Sequence, residues 1–206
     1  MSNNLEAIKA FLAIDDGSPY ACITSGGTKV PLEQNMVRFL DNFSRGERGE
    51  ASAEIFLNKG YRVIFVHREG SICPFTRSVR KNISQHIDNK FLSNLATQGQ
   101  SIILNNSEYN SNISIDIEHY KYFNDNKRII HISFETVDEY MLLLESISQL
   151  LSPFGSRVCF YLAAAVSDFY IPFHEVNYTH IYVYNLFVII YLYLSKFHAY
   201  ISHNTF

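Results

Sequence analysis

The stretch that most constrains this chain runs from Ala21 to His67: "ACIT", then "SGGT", and further on "SRGERGEASAEIFLNKGYRVIFVH". Ala21–Thr24 is small, uncharged and apolar enough for a short buried strand, and Ser25-Gly26-Gly27-Thr28 breaks it. Ser44 stands where a helix N-cap belongs. Ala53, Phe56 and Leu57 share one helical face, and Gly60 occupies the position of a left-handed C-terminal glycine. "YRVIFVH" is β-branched and apolar, as suits a parallel strand covered on both faces. The order is strand, glycine loop, helix, strand.

The same grammar recurs later. Leu5, Ile8, Phe11 and Leu12 predict a short amino-terminal helix that leads through Gly17-Ser18-Pro19. "RIIHISFE" reads as another strand. Thr136-Val137-Asp138-Glu139 is a capping box, after which Tyr140, Leu143, Leu144, Ile147, Leu150 and Leu151 recur at helical spacing. Pro153 and Gly155 end that helix. "RVCFYLAAA" reads as a further buried strand, with Val166-Ser167-Asp168 turning at its carboxyl end. Residues 71–128, rich in Asn, Ser and Tyr and weakly periodic, read as a variable insertion of helix and loop. Strands alternating with helices predict an α/β fold, a parallel sheet with helices on both faces.

Composition narrows the function classes. The 206 residues are 47% hydrophobic and 18% charged, enough for one domain with a sizeable core. A net charge of −3 offers no basic footprint, so no nucleic-acid partner is expected. Cys22, Cys73 and Cys159 form no close-spaced pair, which excludes a CxxC knuckle and predicts a reducing, intracellular setting. The first residues lack a cationic segment followed by an apolar run, so no secretory signal is read there. The five N-x-S/T matches, at Asn42, Asn82, Asn105, Asn112 and Asn177, are then chance features of an Asn-rich chain. The eight histidines are scattered without an H-E-x-x-H pattern, and no metal site is assigned. No lysine follows a tyrosine by four residues, which counts against a short-chain dehydrogenase.

In open α/β sheets ligands sit beyond the carboxyl ends of the strands. Ser25–Thr28 and Ser167–Asp168 both fall at such ends and are candidates for one shared site. Gly26, Gly27, Gly46 and Gly49 could bring backbone amides close to phosphate, or could serve a tight turn and helix packing. Their spacing matches neither a P-loop nor G-x-G-x-x-G. Asn42 could donate its amide to an acyl or phosphoryl oxygen, or could steady a turn. Asp168 could bind a substrate hydroxyl or amine, or could cap a helix. The small Ala164 and Ala165 would let a substrate lie against the backbone. Arg38 and Arg45 are candidate anion partners.

"ITSGGTKVPLE", "VRFLDNFSRGERGEASAEIFLNKGYRVIF" and "FYLAAAVSDFYIP" together resemble the eukaryotic phosphopantothenate–cysteine ligases. The resemblance is dense over 21–77, good over 129–172 and weak over 78–128. It implies a Rossmann-like domain, usually a homodimer, of the cytoplasm. It implies a ligase of coenzyme A biosynthesis that activates the carboxylate of 4′-phosphopantothenate with ATP, or CTP as the alternative, with Mg2+ carried by the nucleotide. Cysteine then attacks the acyl-nucleotide. By the same resemblance Gly26, Ser44, Gly46 and Gly49 match nucleotide-contacting positions. Asn42 matches the residue that holds the activated acyl group, and Ala164, Ala165 and Asp168 match the phosphopantothenate pocket. Stabilising charge and aligning substrates is the work such chemistry asks of a protein, so no covalent nucleophile is needed.

After Pro172 the resemblance stops. The family continues into a lysine-bearing strand and an Asn-containing strand end that are not found in this sequence. Residues 173–206 contain no Gly or Pro, only Glu175 and Lys196 as charges, and six tyrosines. The sequence therefore predicts a ligase-like domain over 1–172 with the sheet incomplete at its carboxyl end. The remainder reads as a non-family tail, of the kind a retained intron would encode. The alternative is an inactive relative that binds substrate or pairs with a full-length partner. "IYVYNLFVIIYLYL" is short for a membrane span and interrupted by tyrosines and Asn185, so a membrane anchor is not expected.

Overall fold

The computed structural model of the protein describes residues 2–32, 38–77, 79–80, 95–104, 107–170 and 184–185. At its centre is a four-stranded parallel sheet of β1 (Tyr20–Ser25), β4 (Arg62–Arg68), β7 (Ile129–Phe134) and β8 (Val158–Leu162). Two short strands, β2 (Lys29–Pro31) and β3 (Phe39–Asp41), form an antiparallel pair beyond the end of β1. A hairpin of β5 (Leu95–Gln98) and β6 (Ser101–Leu104) follows β4 in sequence.

The strand order β7-β4-β1-β8 is third, second, first, fourth in the sequence of sheet strands. That is the opening order of a doubly wound Rossmann sheet, and the direction of winding reverses between β1 and β8. The expected α/β, Rossmann-like class is the observed one.

Side chains alternate across the strands and build two cores. On one face Tyr20, Cys22, Ile64, Val66, Ile132 and Phe134 meet helix α1 (Ser2–Leu12), through Ile8, Phe11 and Leu12. The same face meets helix α4 (Val137–Leu151) through Tyr140, Leu143, Ile147 and Leu151. On the other face Ala21, Ile23, Val63 and Phe65 meet Ala53 and Leu57 of helix α2 (Glu47–Asn58) and Phe123 of helix α3 (Ser107–Asp125). This period-two division places helices on both faces of the sheet.

The helix ends explain the element boundaries. Thr136 Oγ1 accepts from the amide of Glu139 while the Glu139 carboxylate accepts from the amide of Thr136, each at 3.2 Å, so the predicted capping box is formed. At the far end of α2, Gly60 takes φ +86, and Gly60 and Tyr61 donate to the carbonyls of Leu57 and Phe56 at 3.0 Å. With Phe56 and Tyr61 in edge contact at 4.9 Å, this is a complete Schellman motif. Ser44, however, is not the cap of α2. The helix begins at Glu47 behind Gly46, which has φ +85.

One further expectation is corrected. β8 is half-exposed along its length, with Leu162 46% exposed, because it stands at the edge of the described sheet. Within the 71–128 stretch, read as helix and loop, α3 runs for 19 residues, and among its described side chains only Ile113 and Phe123 are buried. That shallow contact leaves its sequence with a weak period. Beyond β8 a two-residue strand β9 (Phe169–Tyr170) pairs antiparallel with β10 (Tyr184–Asn185). The rest of the 173–206 tail lies outside the described residues. Among the described residues no helix is long and apolar enough to cross a membrane.

Candidate active site

At the winding reversal, β1 and β8 do not splay apart at once. The amides of Ala163 and Ala165 donate to the carbonyls of Thr24 and Gly26 at 3.2 and 2.7 Å, and Thr28 donates back to Ala165 at 3.1 Å. Two buried threonines add side-chain bonds. Thr24 Oγ1 accepts from the amide of Ala164 at 3.2 Å, and Thr28 Oγ1 accepts from that of Ser167 at 2.9 Å. The two predicted clusters, Ser25–Thr28 and Ser167–Asp168, are thus one hydrogen-bonded ledge.

Asn42 is stitched to the same ledge. Its amide donates to Thr28 O at 3.0 Å, and its side-chain nitrogen donates to Val166 O at 2.9 Å. The strand end carrying Asn42 presses so closely that a Cβ built on Gly27 would lie 1.6 Å from Asn42 O. Gly27 is therefore required by chain approach. Gly26, at φ +86, has its own reason, since a Cβ there would stand 2.7 Å from Cβ of Arg68.

Gly46 and Gly49 bring helix α2 onto the end of β1. A Cβ on either would meet Ser25 Oγ, at 2.6 and 2.5 Å, and Ser25 Oγ donates to Gly46 O at 3.0 Å. The leading N–H groups of α2, which have no partner within the helix, are thereby held beside Gly26. Ser44 accepts from the amide of Gly46 at 3.3 Å and shapes the turn into the helix.

Gly26, Asn42, Ser44, Gly46, Ala164 and Ala165 therefore converge at the carboxyl ends of β1 and β8, with Gly49 one helical turn behind. Ala164 and Ala165 are half-buried, and Asp168 is exposed at the outer end of the ledge. Asp168 caps no helix, because the chain enters β9 directly after it. Arg45 is exposed beside Glu47, 4.0 Å away.

Several charged groups at this edge are not singled out by the sequence reading. Arg68, the last residue of β4, grips the carboxylate of Asp41 with both guanidinium nitrogens, one of them at 2.8 Å. The guanidinium holds the Asp41 carboxyl below its usual range. Lys29 pairs with Glu135 and lies over the Phe39 ring, 4.4 Å from its centre. Each of these four residues stands at or next to the end of a strand, Lys29 at the start of β2 and the others at or just past a carboxyl end, and that position is the signal that could have found them.

A domain with a Rossmann-ordered sheet and its polar residues gathered at the winding reversal is an α/β domain of the dinucleotide-fold type. Its relatives are specific. Phosphopantothenate–cysteine ligase CAB2 of Saccharomyces cerevisiae is 45% identical over 152 residues, which cover 73% of this chain and 39% of the relative. Phosphopantothenate–cysteine ligase of Mus musculus is 42% identical over 166 residues, covering 78% of this chain and 51% of the relative. A solved structure of a substituted Cab2 in complex with phosphopantothenate-cysteine superposes with a TM-score of 0.74 at 39% identity, covering 87% of this chain and 56% of that one. No protein-family model matches. The chain is a homologue of the phosphopantothenate–cysteine ligases, and it spans about half the length of the curated relatives it matches, or less.

Proposed function

We propose that the protein acts in the condensation of 4′-phosphopantothenate with cysteine, through an acyl-nucleotide intermediate, as a ligase of coenzyme A biosynthesis. The observation that carries this reading is the ledge itself. Asn42, Gly26, Ala164 and Ala165 meet at one strand edge in a chain 39% identical to a Cab2 structure holding phosphopantothenate-cysteine.

Each group has a task suited to it. The start of α2, set by Gly46 and Gly49, offers amide hydrogens and partial positive charge to the nucleotide phosphates. Asn42 donates one N–H to Val166 O, which leaves its second N–H for the acyl oxygen on which charge develops. Ala164 and Ala165 leave room for the pantoate chain, and Asp168 accepts from a substrate hydroxyl or amine. ATP is the nucleotide proposed, with CTP as its competitor, and Mg2+ would arrive with the triphosphate. A homodimer is the proposed assembly.

A second reading is that this chain binds substrate or pairs with a longer homologue without turnover. One experiment separates them. The purified chain is given 4′-phosphopantothenate, cysteine, Mg2+ and ATP or CTP. Pyrophosphate release and product mass are then followed, with substrate binding measured by calorimetry. Nucleotide-dependent product supports the ligase; binding without product supports the module; neither binding nor product ends both.

A further inference from the structure

On the α2 and α3 side of the sheet, at the end of β4 where His67 pairs in register with Ser25 of the ledge, two histidines and a cysteine come together. His67 on β4 and His131 on β7 project from the same face, because Phe65 pairs with His131 and His67 with Ser133 in the parallel register. Their rings are 5.8 Å apart in an edge-on arrangement. Cys73, on the segment that folds back over this face, brings Sγ to 4.0 Å from Nδ1 of His67. One ligand atom from each residue lies within 4.8 Å of the other two, and all three side chains are half-buried.

We propose that His67, Cys73 and His131 form a binding site for a single zinc-class divalent cation, with the fourth position open to water. Three atoms mutually within 4.8 Å share a point no more than about 2.8 Å from each, against the roughly 2.0–2.3 Å of zinc–nitrogen and zinc–sulfur bonds. A closure of about half an ångström to one ångström therefore completes the triad. Two imidazoles and a thiolate suit a borderline-soft ion and disfavour Mg2+ or Ca2+, which take oxygen ligands. Binding breaks the S–H bond of Cys73 and forms a metal–sulfur bond, and the proton leaves to water.

The segment that delivers Cys73 is held in a costly conformation. Thr76 donates to Cys73 O at 3.3 Å across Pro74 and Phe75, and Phe75 has φ +63, a left-handed value that a bulky residue seldom adopts. Its amide donates to Glu54 Oε1 at 2.7 Å, and its ring stacks on Phe123 at 5.3 Å. This turn aims Cys73 back at His67. Strain maintained by such anchors is a mark of a site. The cation would clip the 71–76 segment to the sheet, one residue from Arg68, which grips Asp41 beside Asn42.

The test is titration of the full chain with Co2+, an optical stand-in for Zn2+. One equivalent is expected to give a thiolate-to-cobalt charge-transfer band and the visible bands of a tetrahedral ion, both removed by Zn2+. Cys73→Ser should abolish the charge-transfer band and weaken binding at least 100-fold, whereas Cys159→Ser should leave both intact. His131→Asn, with its fold checked by circular dichroism, should weaken binding to a similar degree. Absence of a charge-transfer band in the folded wild type overturns the proposal. So does a band that survives Cys73→Ser or disappears with Cys159→Ser.

Discussion

The side-chain nitrogen of Asn42 donates to the carbonyl of Val166 at 2.9 Å, across 124 positions of sequence. This bond joins the end of β3 to the segment after β8 and fixes which way the carboxamide points. An Asn so held presents its remaining N–H and its oxygen in one orientation, the preorganisation that charge stabilisation requires.

Asn42→Asp tests that role. The new carboxylate would face the Val166 carbonyl with no hydrogen to share, so the bond becomes a repulsion. Loss of one hydrogen bond should cost about 1 kcal/mol of stability. Product formation, or substrate affinity if the chain only binds, should fall by roughly 100-fold or more. Thermal melts and the ligation assay read the two quantities separately. Unchanged ligation with a lowered melting temperature would reduce Asn42 to a structural stitch.

Asp168→Ala should show the opposite balance. Its side chain is exposed at the outer end of the ledge, so stability should move by no more than about 0.5 kcal/mol. Affinity for 4′-phosphopantothenate should nonetheless drop, because a group free of structural work is what remains for a substrate. Calorimetry that finds equal affinity in both proteins removes Asp168 from the site.

Gly49→Ala isolates a packing requirement. Within α2 the change should favour the helix by about 0.5–1 kcal/mol. The added Cβ would instead fall 2.5 Å from Cβ and Oγ of Ser25, driving the helix off the end of β1. Net destabilisation of about 1–3 kcal/mol is expected, as for other overpacked sites. Ser25→Gly should partly relieve it in a double-mutant cycle, since the atoms met at 2.5 Å are then absent. A Gly49→Ala protein as stable as the wild type would show that α2 has freedom to shift.

What could be read from the sequence divides along physical lines. The β1–α2–β4 unit was legible because both strands are central and apolar and Gly60 punctuates the helix end. Its start was misread at Ser44, because Ser25, a residue far away in sequence, decides that Gly46 makes the turn. β8 read as buried because an apolar run looks the same at an edge as in the middle of a sheet. α3 gave almost no period, since Ile115, Ile117, Tyr120 and Tyr122 on it are exposed. Gly26, Gly27, Gly46 and Gly49 stand out in the sequence, because close backbone approach leaves a mark on residue type. The Arg68–Asp41 and Lys29–Glu135 pairs do not, because charges acquire meaning only once folding sets them at one strand edge.

Glu50 offers a test in which the sign of the pH dependence matters. It lies in the first turn of α2, 1% exposed, with Oε2 accepting from Arg77 at 2.7 Å and Oε1 without a protein partner. Desolvation raises its pKa from 4.5 to about 7; Arg77 opposes the shift and Glu54 adds to it. An acid with a higher pKa folded than unfolded makes the folded chain bind more protons between those two values. Its contribution to stability therefore falls as pH rises from about 4.5 to about 7 and is level above that. His131, lowered from 6.5 to about 4 by burial, acts in the reverse direction over an overlapping range. The informative quantity is thus the difference in melting temperature between wild type and Glu50→Gln, in which the histidine contribution cancels. That difference should swing against the wild type as pH rises through the window; a flat difference would mean that Glu50 titrates as an ordinary solvated carboxylate.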